Sequence, residues 1–370
     1  MTTQVRERKA VRLHLTNIAG LGAVQLLHSL LPNFEQLPDY KLETVYLPSW
    51  GELSNYKATC HETKLICYKR YLPNSISRLL ECTLFGSKFD GTTPLLVLGD
   101  IPIRSKTKQT VFVQTTLLTH GASTGRHLGA IKYWIARWLF RLNIGYVSAF
   151  IVQTEAMKAA LIDTYPKIRE RVHVIAQPAP NWLLESQLKR TQRNIRADSD
   201  LRLFYPAAVY PHKNHQLLSA IQTDRAKAWP ISELLLTIPE NLNPNPEISW
   251  IHCVDRLASD AVVNTYEATD ALLFLSLSES FGFPLIEAMW IGLPIICPDL
   301  PYARALCGNQ AIYFNPEDVN SLHVAVVDLS KRLDSGWWPE WSENLKAIPQ
   351  NWKEVAAAML NLATGEGEAT

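Results

Sequence analysis

Two glutamates with seven residues between them, Glu279 and Glu287, are the side chains of this sequence whose type and spacing best fit chemistry. They follow an apolar run, 271–275, that is typical of a buried parallel strand. Gly282 favours a tight turn, and Pro284 is a favoured first residue of the next helix. Glu279 is therefore predicted in the loop at the carboxyl end of a strand, and Glu287 about one turn inside the helix. In an open α/β sheet this edge binds ligands, and the amides of a helix N-terminus suit a phosphate.

The pattern resembles the C-terminal half of retaining glycosyltransferases of the GT-B fold, in particular glycosyltransferase family 4. In that family the first glutamate faces the donor sugar and the second holds the ribose hydroxyls, so the resemblance implies these roles for Glu279 and Glu287. A bare pair at this spacing would be read as two surface charges, but the strand, the turn and the flanking segments argue against that. These segments are 266–270, 287–289, 292–296 and 311–318. The donor contacts implied between the two acids are Ser280, Gly282, Phe283 and Leu285.

A lysine completes the implied donor site. The segment 204–215 resembles the start of the donor domain in these transferases, where an arginine and a lysine contact the pyrophosphate. Lys213 matches the lysine, whose charge would stabilise the leaving group in the transition state. Ala208 stands where many members have the arginine, and His212 or His215 is a candidate for part of that role. For Lys213 alone, a solvated lysine at a helix start is the simpler alternative.

Four residues of the first half of the chain are further candidates. Gly20 and Gly22 follow the first predicted strand, where the resemblance implies a glycine-rich turn against donor and acceptor; a plain tight turn explains them as well. His120 follows another predicted strand, and family members often have a histidine near this place that approaches the sugar, although a lone histidine is usually structural. Asp100 also ends a strand, and an aspartate that caps the turn explains it equally well.

The resemblance implies a reaction without a cofactor or a metal ion. Retention of the anomeric configuration could use a carboxylate nucleophile, as in retaining glycosidases, but no carboxylate stands out for that role. A front-face displacement is implied instead, in which the leaving diphosphate helps to deprotonate the acceptor hydroxyl. Lys213, Glu279 and the helix amides after Gly282 would supply positioning and electrostatics. The sequence has no Asp-x-Asp motif of the kind that metal-dependent transferases use.

The composition limits the classes of protein to which this chain can belong. The 370 residues, of which 47% are hydrophobic and 19% charged, are enough for two globular domains. A net charge of +1 does not indicate nucleic-acid binding. The six cysteines match neither a zinc site nor a small disulfide framework, and we expect reduced thiols. A polar N-terminus and the lack of a run of about eighteen apolar residues predict a cytoplasmic location.

Alternating strand and helix signals predict an α/β protein with two Rossmann-like, doubly wound domains. The predicted division is 1–185, 201–345 and a tail, 346–370, whose helix has one apolar face. The resemblance implies the GT-B arrangement, with an acceptor-side first domain, a nucleotide-sugar donor domain, a cleft that both face, and a last helix that crosses back to the first domain. The first helix is predicted over 23–31, with Pro32 as its end. The predicted strands are 11–15, 95–98, 111–115, 150–153 and 172–175, then 201–205, 233–238, 250–253, 271–275 and 295–297.

The segment 126–141 predicts an amphipathic helix. Basic and aromatic residues without an acid fit docking on an anionic leaflet, at the inner face of the plasma membrane, where a lipid-linked acceptor would be found. A helix whose apolar side packs on the sheet explains the pattern equally well, and both can hold. One predicted side gathers Arg126, Arg137 and Arg141 with Tyr133 and Trp134, and the opposite side gathers Leu128, Ile131, Ile135 and Leu139.

The resemblance thus implies a retaining hexosyltransferase that moves a sugar from a nucleotide diphosphate sugar to an acceptor hydroxyl, in bacterial polysaccharide or lipid-linked glycan synthesis. Its partners would be the nucleotide-sugar donor and a glycan or lipid-linked acceptor. One alternative is another enzyme on the same fold, a sugar-nucleotide epimerase or a phosphorylase, and the lack of a lysine-bound cofactor segment argues against the phosphorylase. The other is a non-catalytic nucleotide-sugar-binding protein. It remains an alternative because Ala208 stands where many members have the arginine.

Overall fold

The structure, a computed structural model, describes residues 8–18, 21–72, 74–119, 129–191 and 200–365. The chain divides into two compact units. The first comprises Met1–Pro178 together with Pro349–Thr370, and the second comprises Ala179–Ile348. The end of the chain therefore belongs to the first unit, although the whole second unit intervenes in the sequence.

The first unit is built on a parallel sheet with buried central strands. The strands described in it are β1 (Lys9–His14), β2 (Tyr40–Pro48), β3 (Lys64–Tyr68), β4 (Leu95–Val97), β5 (Gln109–Phe112), β6 (Val147–Val152) and β7 (Val172–Val174). They pair in the order β3-β2-β1-β4-β5-β6-β7. Every residue of β4 and β5 is buried, which explains why β4 is wholly apolar.

Helices connect these strands, as parallel pairing requires. Up to the end of β7 they are α1 (Leu21–Gln36), α2 (Asn74–Cys82), α3 (Gly129–Asn143) and α4 (Glu155–Thr164). Thr154 caps α4, since its hydroxyl accepts a hydrogen bond from the Met157 amide at 3.1 Å. Short 3-10 turns make up several of the remaining connections.

The second unit repeats the same plan with its own sheet and core. Its described strands are β8 (Leu201–Tyr205), β9 (Ile231–Leu236), β10 (Ile251–Cys253), β11 (Ala271–Leu273), β12 (Ile295–Pro298) and β13 (Ile312–Phe314). They pair in parallel in the order β10-β9-β8-β11-β12-β13. Its helices are α5 (Asn181–Ser186), α6 (Ser259–Ala268), α7 (Phe283–Ile291), α8 (Pro301–Cys307), α9 (Val319–Asp334) and α10 (Ser342–Leu345). Because β8 and β11 are neighbours, the loops that follow them emerge side by side.

The last helix, α11 (Trp352–Thr364), packs against α1 and the strands of the first sheet. Asn351 caps its start by accepting a hydrogen bond from the Glu354 amide at 3.0 Å. Its buried residues recur at three- and four-residue intervals, as an amphipathic helix requires. They are Trp352, Val355, Ala356, Met359, Leu360 and Ala363.

Several local predictions are wrong. Pro32 does not end the first helix, because α1 continues to Gln36. A proline inside a helix costs about 3 kcal/mol, but the residues around it, Leu31 and Phe34 among them, are fully buried, which offsets that cost. The strands β2, β3 and β13 were not predicted. Most residues of β3 are exposed or half-buried, because it is the edge strand of its sheet, so it lacks the apolar run that marks a central strand.

The predicted orientation of α3 is correct for Ile135 and Leu139 and wrong for Arg137. Leu139 is buried, and Ile135 packs near it against α2. Arg137, however, points inward, and its Nε donates a hydrogen bond to the carbonyl of Leu117 at 2.9 Å. Arg141 lies with its guanidinium 5.7 Å from the ring of Tyr165. Arg126 and Leu128 are outside the described residues, as is the side chain of Ile131.

None of the helices in the described part of the chain combines the length and the apolar character that crossing a bilayer requires. The six cysteines are free thiols.

Candidate active site

Two of the predicted site residues, Lys213 and Glu279, form an ion pair at the carboxyl edge of the second sheet. Lys213 follows β8 and Glu279 follows the neighbouring β11. The distance from Lys213 Nζ to Glu279 Oε1 is 2.5 Å. The two side chains are 16% and 12% exposed, so the pair is mostly shielded but still reaches the surface. A cation and an anion therefore meet at the edge where open α/β sheets bind ligands.

The loop that carries Lys213 is fixed by its neighbours. Asn214 ends the 3-10 turn Pro211–Lys213 in a left-handed conformation, with φ 56°, and its side-chain amide donates to the carbonyl of Pro316 at 3.1 Å. The hydroxyl of Tyr205 at the end of β8 donates to the carbonyl of Lys213 at 2.7 Å. The amide of Leu277 donates to the carbonyl of His212 at 2.7 Å, which joins this loop to the loop of Glu279. The ammonium is thus held on a rigid backbone.

The loop that carries Glu279 is anchored at both ends. Before it, the hydroxyl of Tyr302 donates to the carbonyl of Ser276. After it, Phe281 is buried and Gly282 begins α7 with φ 86°. Only glycine adopts this conformation without strain, which is the physical reason for the glycine at this position. Pro284 lies in the first turn of α7, as predicted.

Glu287 lies inside α7 and is only 7% exposed. The hydroxyl of Tyr266, a fully buried residue of α6, donates to Glu287 Oε2 at 2.7 Å. Burial raises the pKa of Glu287 to about 7, although the hydrogen bond from Tyr266 acts in the opposite direction. Tyr266 was not predicted as a partner of this carboxylate. Its only signal was that Tyr266 belongs to a segment that carried the family resemblance.

The two histidines near Lys213 have lowered pKa values. Burial and the nearby charge of Lys213 lower the pKa of His215 to about 4, and its ring lies 5.0 Å from that of Tyr205. Burial and Lys213 also lower the pKa of His212, with Glu279 acting against them. A histidine with a lowered pKa is mainly neutral at pH 7, and a contact of His212 or His215 with the diphosphate stays a prediction.

The remaining predicted contacts of the second unit differ in accessibility. Leu285 is fully buried and belongs to the core of this unit, and its amide donates within α7 to the carbonyl of Gly282 at 3.0 Å. A donor contact through its side chain is therefore excluded. Ser280 and Phe283 are half-buried on the loop and at the helix start, where the centroid of the Phe283 ring lies 5.0 Å from that of Phe281.

In the first unit, Gly22 does not lie in the predicted turn. Gly22 lies in the first turn of α1 and is exposed, so it is a helical residue here. Gly20 and His120 are outside the described residues. Asp100 adopts a left-handed conformation with φ 66°, and its Oδ1 accepts a hydrogen bond from the amide of Gln114 at 2.6 Å, as a turn-capping residue does.

A buried ionic cluster at the end of β1 was not predicted. Glu81 accepts hydrogen bonds from Arg70 at 2.8 Å and from Thr16, and its Oε1 is 2.9 Å from Nε2 of His14. Burial acts to raise the pKa of Glu81, but His14 and Arg70 outweigh it and lower the pKa to about 2. The cluster fixes the start of the loop that leads from β1 towards α1. Its members are far apart in sequence, so spacing alone did not reveal it.

No group of three or more histidine, cysteine or acidic side chains is close enough to hold a metal ion within the described ranges.

Comparisons with known proteins find glycosyltransferases. A family model described as "Glycosyl transferases group 1" matches residues 233–332, which include both glutamates. The mannosyltransferase WbdA of Escherichia coli is 28% identical over 134 residues, 36% of this chain and 16% of WbdA. The O-antigen chain mannosyltransferase RfbU of Salmonella typhimurium is 21% identical over 213 residues, 54% of this chain and 56% of RfbU. The chain therefore matches only a sixth of the one relative and about half of the other.

Solved structures of glycosyltransferases share the fold over nearly the whole chain. Sucrose-phosphate synthase from Thermosynechococcus elongatus superposes with a TM-score of 0.67 and 14% identity, over 98% of this chain and 100% of that structure. Anabaena HepE, solved with UDP-glucose, gives a TM-score of 0.63 and 12% identity, over 97% of this chain and 100% of HepE. The predicted α/β fold class is confirmed: the chain consists of two Rossmann-like parallel-sheet units and has the GT-B glycosyltransferase fold.

Proposed function

We propose that this protein is a retaining hexosyltransferase that moves a sugar from a nucleotide diphosphate sugar to an acceptor hydroxyl. The observation that carries the proposal is the ion pair of Lys213 and Glu279 at the carboxyl edge of the second sheet, beside the start of α7. A phosphate fits a lysine and helix amides, while carboxylates accept hydrogen bonds from sugar and ribose hydroxyls. We assign the donor sugar to Glu279 and the ribose to Glu287.

The proposed reaction is a front-face displacement. The acceptor oxygen forms a bond to the anomeric carbon, the bond from that carbon to the diphosphate oxygen breaks, and the hydroxyl proton moves to the departing diphosphate. Lys213 offsets the negative charge that grows on the diphosphate. Since both neighbouring histidines have lowered pKa values, Lys213 is the residue of this loop that carries positive charge near neutral pH. The proposal includes neither a cofactor nor a metal ion, so EDTA should leave the rate unchanged.

The relatives favour a surface glycan as the product. WbdA and RfbU are both mannosyltransferases by name, and RfbU acts on the O-antigen chain. HepE was solved with a uridine diphosphate sugar. We propose a hexose donor of this kind, with mannose or glucose as the sugar, and an acceptor that belongs to bacterial polysaccharide or lipid-linked glycan synthesis. The first unit would carry the acceptor.

The test is an assay of nucleoside diphosphate release by the purified full-length protein. The donors would be UDP-mannose, UDP-glucose, GDP-mannose and GDP-glucose, each tested with and without oligosaccharide acceptors. Release that depends on the acceptor, with an NMR coupling constant showing the donor's anomeric configuration in the product, supports the proposal. Formation of an isomerised donor would identify an epimerase instead. Binding without release under all conditions would identify a nucleotide-sugar-binding protein.

Variants connect the activity to the site. Lys213→Ala should lower turnover by about 10²- to 10³-fold, as the loss of one transition-state donor does in other enzymes, and Glu279→Gln should lower it strongly as well. Lys331→Ala removes an exposed lysine of α9 in the same unit and should leave turnover unchanged. Full activity of both the Lys213 variant and the Glu279 variant would contradict the assignment of these residues to the active site.

A further inference from the structure

The hydrogen bond between Tyr266 and Glu287 joins two helices whose ends both contact a third segment of the chain. Tyr266 lies in the last turn of α6, and Glu287 lies within α7. The third segment consists of Lys189 and Arg190, and Arg190 precedes Tyr266 by 76 positions. The contacts of this segment therefore bear on the relative position of the two helices that carry the hydrogen bond.

The helix α6 ends without the left-handed glycine that closes α7. Gly292 closes α7 with φ 93°. The residue that follows α6 is Thr269, with φ −90°, so the last carbonyls of α6 need other donors. The hydroxyl of Thr269 donates to the carbonyl of Thr265 at 2.6 Å. The next two carbonyls are those of Tyr266 and Glu267.

Arg190 donates to both of these carbonyls. Its Nη1 donates to the carbonyl of Tyr266 at 3.0 Å and also to that of Glu267. Arg190 is only 6% exposed, so the guanidinium lies inside the second unit. A cation at the C-terminus of a helix is also attracted by the negative end of the helix dipole. Arg190 thus holds the main chain of Tyr266, while the hydroxyl of Tyr266 donates to Glu287 at 2.7 Å.

The same segment is bonded to the end of α7. The amide of Arg190 donates to the carbonyl of Ile291 at 2.6 Å. Lys189 Nζ donates to the carbonyl of Trp290 at 2.5 Å and lies 4.0 Å from the centroid of its ring. The backbones approach so closely that a Cβ at Gly292 would lie 2.5 Å from the carbonyl oxygen of Arg190. The segment therefore fixes the end of α6 relative to the end of α7.

We propose that Arg190 is a positioning residue, which aligns the hydroxyl of Tyr266 with the carboxylate of Glu287. A hydrogen bond weakens steeply as its angle departs from linear, so a small rotation of α6 would weaken this one. Burying an arginine costs free energy that an apolar side chain would not, which favours a role in geometry over one in stability alone. The proposal rests on the proposed function in one respect, the binding of ribose by Glu287.

Two simpler roles of Arg190 lead to different results. An arginine that only stabilises the unit would leave the charge of Glu287 unchanged. A direct effect of the guanidinium charge on Glu287 would not need Tyr266. Within the described part of the chain, burial and the hydroxyl of Tyr266 are the causes that set the pKa of Glu287. An effect of Arg190 on this carboxylate should therefore pass through Tyr266.

The experiment measures the pKa of Glu287 in the full-length protein by NMR of its carboxyl carbon, which the Glu287→Gln variant identifies. Tyr266→Phe should lower the ionisation constant by about tenfold and so raise the pKa, because a hydrogen bond to the charged form is lost. Arg190→Met should raise the pKa as well, and it should add nothing when Tyr266→Phe is already present. Binding of UDP or GDP at pH 7 should weaken by about fivefold in these variants, as the charged fraction of Glu287 falls.

Lys189→Met is the matched control, because Lys189 belongs to the same segment but contacts Trp290 of α7 and not Tyr266. It should leave both the pKa of Glu287 and the binding of UDP or GDP unchanged. Arg190→Lys keeps the charge and loses the planar fork, so it should raise the pKa of Glu287 by less than Arg190→Met. It provides the measurement if the methionine variant does not fold.

A lower melting temperature of the Arg190 variants with an unchanged pKa of Glu287 overturns the proposal, since Arg190 would then only stabilise the unit. So does an effect of Arg190→Met that persists beside Tyr266→Phe, since it would come from the charge of the arginine itself. A raised pKa in a protein that binds neither UDP nor GDP would support the positioning role and contradict the binding of ribose by Glu287.

Discussion

At the scale of single residues, burial and the proposed function favour opposite protonation states of Glu287. Holding ribose hydroxyls favours a charged carboxylate, while burial raises its pKa from the ordinary 4.5 to about 7. Between these two values the folded protein binds a proton that the unfolded chain does not, so stability falls as the pH rises through this window and stays reduced above it. The hydroxyl of Tyr266, 2.7 Å from Oε2, limits the shift by favouring the charged form.

Glu287→Gln should therefore stabilise the protein above pH 7 and weaken donor binding. The amide cannot lose a proton, so the gain should be small at pH 4.5, grow as the pH rises and reach at most about 3 kcal/mol above pH 7. Melting temperatures across this range would measure the gain, and the donor-induced thermal shift would measure the affinity. Glu267→Gln, which changes an exposed glutamate of the same helix as Tyr266, should do neither. A gain in stability that does not vary with pH would contradict the raised pKa of Glu287.

At the scale of elements, sequence reasoning succeeded where the signal is local. β8 occupies the predicted residues 201–205, because a run of apolar residues between polar ones marks a central strand. The placement of Glu279 in a loop and Glu287 within the next helix follows from the strand, the glycine and Pro284 in the same way. The contact between Lys213 and Glu279 could not be predicted from spacing, because it depends on which strands are neighbours. The bond from Lys213 to Glu279 exists because β8 pairs with β11, and sequence spacing contains no such information.

Gly282→Ala tests the loop and helix that carry the two glutamates, and Gly22→Ala is its control. A side chain at Gly282 must adopt φ near 86°, which costs about 1–2 kcal/mol, and its Cβ would lie 3.3 Å from Leu285 Cδ1. Gly282→Ala should thus destabilise the second unit by at least this amount and lower turnover, since the start of α7 moves. Gly22→Ala, in α1 with nothing within 4 Å of the new Cβ, should instead stabilise the protein by about 0.5–1 kcal/mol. Denaturant midpoints would measure both; equal effects of the two changes would contradict the assignment of Gly282.

At the scale of the whole molecule, the chain returns to its first unit after completing the second. The buried side of α11 packs against α1 and the first sheet, and the hydroxyl of Tyr40 donates to the side chain of Asn361. The hydrogen bond between Tyr40 and Asn361 joins residues that are 321 positions apart in the chain. The first unit is therefore not a continuous piece of sequence, and we expect its stability to depend on the residues of α11.

Leu360→Ala tests this dependence, because Leu360 is a fully buried residue of α11. Removing a buried leucine side chain costs about 2–5 kcal/mol, and the loss should fall on the first unit. Hydrogen exchange read by mass spectrometry should show faster exchange in α1, β1 and α11, while α7 and β11 keep their protection. Leu362→Ala changes a half-buried leucine of the same helix and should have a clearly smaller effect. Faster exchange in the second unit, with α1 unaffected, would mean that the last helix stabilises a different part of the molecule from the one with which it packs.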